Sequence, residues 1–370
     1  MPLSQASRIL SLDVFRGLTI VFMILVNSQG NDSAYPVLEH AAWNGCTLAD
    51  IVFPSFLFIV GVTTVISLRK QIGQSTHEVI YRSIMERSFI MFALGLFLNV
   101  FPNHFDFYHL RIYGILQRIA LCYLACSFIY LKTTIKTQLF IFLSILFGYW
   151  LVMTQIPVPG YGANQLDSEG SWVSFFDQMI FSADHLLEKT YDPEGFFTTI
   201  PSIATTLSGV LTGSLLLSSL SKNKKCILML GMGGLFLLLG GLWDSTFPIN
   251  KNLWTSSFVL WTSGYALITF ALCFLIIDIW NVTKWALPLK IFGMNALFAF
   301  VLHVLLLKLQ FIFYYPLSTG KTGNLKATIT DYFFSSFSEP NAALFYSLAF
   351  LLLNFIVVTF LYRRKIFIRI

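Results

Sequence analysis

Ten apolar stretches of near membrane-crossing length recur along the chain, at roughly 9–28, 47–68, 83–101, 112–131, 138–156, 197–220, 227–243, 254–277, 288–309 and 342–362. A helix needs about 20 apolar residues to cross the hydrocarbon core of a bilayer. A chain that is 56% hydrophobic and only 11% charged leaves too little polar sequence for a soluble domain. The predicted fold class is therefore all-α: a polytopic membrane helical bundle of about ten transmembrane helices, running as one transmembrane domain over residues 1–370. The first stretch reads as a retained helix. Its basic flank is weak, and NSQGND stands where a signal peptide would be cut.

Charge sets the expected orientation. With both termini inside, most of the 24 Lys and Arg fall on the inner side, among them Arg69, Lys70, Lys222, Lys224, Lys225, Arg363, Arg364 and Lys365. Most of the 18 acids fall on the outer side, which makes that face acidic. The five cysteines form no disulfide framework: Cys122, Cys126 and Cys273 lie within helices, Cys226 at the inner side and Cys46 near the outer side. No metal-ligand spacing and no internal repeat stand out, and nothing points to nucleic acid.

Two outer connections are long, 157–196 and about 313–341. The first opens as a Pro/Gly/polar loop, PVPGYGANQLDSEGSW, and continues as WVSFFDQMIFSADHLLEK. The second part reads either as a short interfacial helix with Trp172 and its Phe neighbours turned to lipid, or as a lid over an outer site.

Several polar residues sit where apolar ones are expected. In SLDVFRG, Asp13 and Arg16 are three apart and share a helix face. They form a local ion pair, or Arg16 partners an anionic ligand from the cytoplasm. Asn27 lies further along the same helix, about 21 Å outward at 1.5 Å per residue. It is a polar residue leaving the membrane, or an amide aimed at a substrate. In VLEHAAWNGCTLADIVFP, Asn44-Gly45 signals a turn, and Thr47 and Asp50 have capping-box spacing, N-cap and N3. A helix start thus explains much of this stretch, but not His40. Histidine is the side chain best suited to proton transfer near neutral pH, and Asp50 or Glu39 can fix its tautomer.

Arg118, in GILQRIALCYL, carries a charge within a span, so it should be buried and paired with an acid or a ligand phosphate. Asp244 and Lys251 flank FPIN at the outer mouth of another span. His303 reads as a core histidine; His104 and His109 lie in a short outer loop without a role. Pro201 kinks the helix it lies in, and Gly209 and Gly213 make a small-residue packing face there.

Taken in order, SLDVFRG, HAAWNGCTLADIVFPSFLFIVG, GILQRIA, YDPEGFFTTIPSIATTLSGVLTG, FPINKNLWTSS and FGMNA resemble bacterial members of the heparan-α-glucosaminide N-acetyltransferase family of transmembrane acyltransferases. The resemblance runs from about residue 8 to 300. It implies transfer of acetyl from cytoplasmic acetyl-CoA to an extracytoplasmic amine; in the lysosomal enzyme the acceptor is a terminal glucosamine of heparan sulfate. It also implies that His40 is catalytic and that Asn27 lies near the acetyl group. This sequence starts almost at the first motif helix, where the animal enzyme first has a large luminal domain.

On that reading His40 is the base, Asn27 the oxyanion donor and Asp50 the orienting carboxylate. Arg16, Arg118 and Asn44 are the candidate acetyl-CoA contacts, and 157–196 is the candidate lid. The expected partners are acetyl-CoA, an amino-sugar or glycan acceptor and the lipid bilayer, with a homodimer as one admissible assembly. The expected location is a bacterial inner membrane. The rival readings are a transporter or flippase of a small glycoconjugate, and an O-acyltransferase of sugar hydroxyls. The other membrane O-acyltransferase class keeps its histidine within the first helix, whereas here the first span has none.

Overall fold

The computed structural model describes residues 9–102, 106–317 and 322–368; His104 lies outside them. It is an all-α polytopic protein. The helices are α1 (Leu10–Asn27), α2 (Leu48–Gln71), α3 (His77–Val100), α4 (Ile115–Lys132), α5 (Ile135–Gln155), α6 (Trp172–Ile180), α7 (Phe196–Leu216), α8 (Lys222–Asp244) and α9 (Ser256–Phe274). They continue with α10 (Leu287–Met294), α11 (Ala296–Gln310), α12 (Leu325–Phe334) and α13 (Glu339–Arg363). A two-stranded hairpin, β1 (Tyr314–Pro316) and β2 (Thr322–Asn324), precedes α12. Among the described residues nine helices are long and apolar enough to cross a membrane, or up to ten if one bent pair counts as a span.

That bent pair is the ninth expected span. The chain turns by 71° between α10 and α11, at Asn295 of FGMNA. Asn295 is buried, and both ends of its amide are engaged: Nδ2 donates to the Ile366 carbonyl at 3.1 Å, and Oδ1 accepts from Ile368 N–H at 3.1 Å. A break in a helix frees backbone groups, so it persists only where it is packed and its polar atoms are satisfied.

The chain forms two compact units. One comprises residues 9–38, Leu220–Met232 and 267–368; the other comprises Glu39–Ser219 and Gly233–Ala266. The division passes through α8 and α9. In the first unit α1 packs on α10 with backbones in contact. A Cβ on Gly17 would fall on the Leu289 carbonyl, and one on Gly293 would fall on the Asp13 carbonyl. The second unit is organised on α2 and α7 by the same means: Gly61 meets the Thr206 carbonyl and Gly209 meets the Phe58 carbonyl, with Gly213 against Val62 and Val65. Small residues admit the close approach that dispersion needs inside a membrane, where apolar transfer contributes little. Gly209 and Gly213 therefore act as expected. Pro201 lies within α7, as Pro54 does within α2.

One end of the second unit is capped by an aromatic cluster of Tyr149, Met153, Val173, Tyr191, Phe197, Phe247 and Leu253. Trp172 and Phe176 pack against it, with Phe176 stacked on Phe197 at 4.8 Å, while Met179 and Ile180 are exposed. Trp172 and Phe176 are partly buried against this cluster, and the last turn of α6 is exposed.

Candidate active site

The loop Glu39–Thr47 and the first turn of α2 build the site. Thr47 and Asp50 form the capping box, and Asp50 Oδ2 accepts the Thr47 N–H at 3.0 Å. The same oxygen accepts the Ala41 N–H at 3.0 Å, so the carboxylate that starts the helix also ties down the loop before it. Thr47 Oγ1–H donates to the Glu39 carbonyl at 2.6 Å and closes the loop. The other carboxylate oxygen, Oδ1, lies 2.7 Å from His40 Nδ1. Asp50 is 1% exposed and the His40 side chain 50%. A buried carboxylate thus holds an imidazole that reaches solvent.

Asp50 is committed as an acceptor, so the hydrogen of this short contact sits on His40 Nδ1. Nε2 is then the ring's acceptor. The remaining neighbour is Lys251, whose Nζ lies 3.5 Å from Asp50 Oδ1, 3.0 Å from His40 Nδ1 and 3.3 Å from Nε2. Standing so close to both ring nitrogens, the ammonium lies against the face of the imidazole and leaves the in-plane lone pair of Nε2 open. The Lys251 side chain is 17% exposed. Burial pulls its pKa down, while the charges of Asp50 and Glu194 act in the opposite sense. Burial likewise pushes the Cys46 thiol up to about 12.

Lys251 is delivered by the α8–α9 connection, which is docked on the His40 loop. Gly45, at φ +107° where a Cβ is disfavoured, donates its N–H to the Ile249 carbonyl at 2.7 Å. Buried Asn250 donates Nδ2–H to Asn44 Oδ1 at 3.1 Å and accepts from Leu253 N–H at 2.8 Å. The turn ends at Trp254, held at φ +48°, a costly conformation for a non-glycine residue. Its indole is wholly buried and donates to Thr205 Oγ1 at 3.1 Å. One short turn therefore brings Lys251 to His40 and Trp254 into the core.

Trp254 leads to a second charged group. The Arg118 guanidinium lies 4.8 Å from the Trp254 ring and is 1% exposed. Nη2 donates to the Gly195 carbonyl at 3.3 Å and to Thr198 Oγ1. Nε and Nη1 have no hydrogen-bond partner among the described residues. Arg118 is thus buried, as expected, but its protein partners are a carbonyl, a hydroxyl and a ring rather than an acid in contact. The acids nearby are used elsewhere. Arg111 bridges Asp192, at 2.8 and 2.6 Å, and Glu194. Burial opposes the Arg111 charge, but these carboxylates outweigh it and raise its pKa. Asp177, in α6, is wholly buried and accepts the Asp192 N–H at 2.9 Å. Burial pushes its carboxyl up to about 7, with the Asp192 N–H acting against the shift.

The family described as heparan-alpha-glucosaminide N-acetyltransferase, catalytic, matches residues 8–240, more than half of the chain. The chain belongs to this family. It is also similar to curated proteins of that name: the human protein at 28% identity over 80% of this chain and 52% of the relative, and the mouse protein at 28% over 82% and 54%. The chain spans about half the length of these curated relatives. The matched region of the family includes Asn27, His40, Asp50 and Arg118 and stops before Lys251.

Of the residues singled out in this family member's sequence, the structure brings His40 and Asp50 into contact, with Asn44 on the neighbouring docking bond. Asn27 ends α1, exposed. Arg16 lies 3.9 Å from Asp13 and donates to the Gly293 carbonyl at 3.2 Å. His303 is buried, edge-on to Phe300, and His109 is exposed beside Asp106. The sequence reading did not connect Lys251 with His40, 211 residues away, and did not notice Arg111 or Asp192. The available signal was one lysine in FPINKNLWTSS, between two asparagines in a turn-like stretch at a span's mouth. Among the described residues no group of three or more His, Cys, Asp or Glu side chains could hold a metal ion.

Proposed function

We propose that this protein transfers an acetyl group from acetyl-CoA, held from the cytoplasmic side, to an amine on the extracytoplasmic side, the amine of an amino sugar. The observation that carries the reading is the His40–Asp50 contact of 2.7 Å, which leaves Nε2 of a half-exposed imidazole as a basic nitrogen. The neutral amine attacks the thioester carbonyl, forming the C–N bond. His40 Nε2 takes the amine's proton as that bond forms, the C–S bond breaks, and the departing thiolate is protonated from the imidazolium. Asp50 holds the tautomer that makes Nε2 the base and stabilises the imidazolium. Asn27 supplies an amide hydrogen to the developing oxyanion.

Arg118, with Nε and Nη1 unused, is the candidate contact for a carbonyl or phosphate of the donor, with Arg16 and Asn44 as further contacts. The segment 157–196 acts as the lid: Trp43 of the His40 loop donates its indole N–H to the Leu166 carbonyl at 2.9 Å, which ties it to that loop.

Purified protein with labelled acetyl-CoA and a panel of amino sugars tests the reading. The wild type should release CoA and label the sugar. His40→Ala should bind acetyl-CoA and lose transfer by about 10² or more, the scale of a positioned acid–base residue. Transfer at the wild-type rate by that variant would remove His40 from the mechanism, and no CoA release by the wild type would favour a transporter. For sidedness, Glu169→Cys and Asn223→Cys, in a Cys46→Ser background, should label from opposite faces of the membrane; labelling from one face would overturn the orientation.

A further inference from the structure

The inference deepens the donor half of the function proposed above and rests on it. We infer that the phosphorylated nucleotide end of acetyl-CoA is held in a cavity at the Leu10 end of α1, with Lys284 and Lys290 on its phosphates.

The cavity belongs to the first of the two units. Its volume is about 370 Å³, and Leu10, Thr283, Lys284, Ala286, Leu287 and Lys290 line it. The lining is of two kinds. Leu10, Ala286 and Leu287 are apolar, while Thr283 offers a hydroxyl and the lysines offer two positive charges. A nucleotide is also of two kinds: a flat ring system with apolar faces, joined to phosphates. The polar residues stand at the start of α10, the end of a helix at which an anion is favoured.

The charge at this place is not consumed by the fold. Among the described residues neither Lys284 nor Lys290 forms an ion pair or a side-chain hydrogen bond. The neighbouring acid, Asp278, is engaged elsewhere. Its Oδ2 accepts the Ser11 N–H at 3.3 Å, and its backbone carbonyl accepts from Lys222 Nζ at 2.7 Å. The sequence ahead of Ile9, MPLSQASR, contains no acid. Two cations lining one cavity repel each other, and a bound phosphate removes that repulsion.

The position suits an elongated donor. α1 begins at this cavity with Leu10, carries Arg16 in its second turn and ends at Asn27. At 1.5 Å per residue Arg16 lies about 9 Å and Asn27 about 26 Å along the helix from Leu10. Acetyl-CoA has its phosphates at one end and its thioester at the other. Phosphates at Lys284 and Lys290 leave the acetyl end free to run along α1 toward Asn27, assigned above to the oxyanion. An anionic lipid headgroup offers the same phosphate chemistry without that reach, so the test separates the two sources.

The probe is adenosine 3′,5′-bisphosphate, the nucleotide end of CoA without its arm, titrated calorimetrically into the full-length protein in nanodiscs of neutral lipid. The wild type should bind it and exchange it for labelled CoA. Lys284→Gln and Lys290→Gln should each weaken binding by about fivefold, and the double variant by about tenfold or more, the scale of partly exposed charged contacts. In turnover, KM for acetyl-CoA should rise by the same factors, whereas S-acetylpantetheine, which lacks the phosphates, should show no such rise.

A bisphosphate that fails to bind the wild type, or binds the double variant as tightly, would overturn the assignment. So would an equal KM rise for S-acetylpantetheine. Nanodiscs containing phosphatidylglycerol should bind the bisphosphate as neutral ones do; loss of binding there would give the lysines to a lipid headgroup instead. The function itself fails separately: a wild type that binds the bisphosphate through these lysines yet releases no CoA keeps the site and loses the transfer reaction.

Discussion

The Arg111 cluster and the His40 cluster are assembled from similar parts, a long cation and loop carboxylates, yet they differ in what they leave over. Arg111 spends its guanidinium on Asp192 and Glu194, and Asp192 also accepts backbone N–H groups from Leu187 and Glu194. Such saturation fixes the segment ahead of α7. The His40 cluster satisfies its buried carboxylate as fully, but it ends in a half-exposed imidazole whose Nε2 is left as an acceptor. Arg118 stands between these cases: it is buried like a structural cation, yet two of its donors lack partners among the described residues. Spare hydrogen-bonding capacity in a buried group costs stability, and under the function proposed above a carbonyl or phosphate of the donor would use it.

Substitution of the two arginines is the sharpest way to break this comparison. Arg111→Met leaves Asp192 and Glu194 without their cation and should destabilise the protein by about 3 kcal/mol, the scale for half of a largely buried ion pair. Thermal unfolding in detergent would register this as a large drop in Tm. Arg118→Met removes two unused donors with the bonds it breaks, and should change stability by less than about 1 kcal/mol while lowering acetyl transfer. If the two variants unfold alike, the distinction between saturated and spare cations is lost.

A smaller effect is expected at Asp50. Asp50→Asn keeps the shape of the helix start but removes the charge that selects the His40 tautomer. Transfer should fall by about tenfold or more, with acetyl-CoA binding retained, as equilibrium binding and single-turnover measurements would show. An unchanged rate would confine Asp50 to its helix-capping role.

The remaining effect is a slope rather than a step. Asp177 has its carboxyl raised from 3.8 to about 7, so between those values the folded protein holds a proton that the unfolded chain has released. Its contribution to stability is therefore complete below about pH 4, declines as pH rises through the window, and is level above about pH 7. Asp177→Asn should flatten that decline in unfolding measurements from pH 4 to pH 8. A decline that persists in the variant would assign the slope to another group.

Much of this molecule was legible in its order of residues. Runs of apolar side chains can satisfy their backbone in lipid only as helices, so the spans could be read from hydropathy alone. The start of α2 could be read from Thr47 and Asp50, because a capping box is a local arrangement with fixed spacing. Gly209 and Gly213 announced a close helix contact, since only small residues allow one.

Tertiary structure decided the rest. The 71° bend at Asn295 depends on an amide meeting backbone of residues 366–368, a partner that no local pattern names. Trp172 and Phe176 are half-covered because Phe197 and the aromatic cluster pack against one side of them. Arg118 has no acid in contact because Asp192 and Glu194 are taken by Arg111. Lys251 meets His40 because Asn250, Asn44 and Gly45 dock two loops that are 206 residues apart at the Asn44–Asn250 bond. Local spacing reports what a residue does to its own turn of helix; which charges face each other is set by packing between segments hundreds of residues apart.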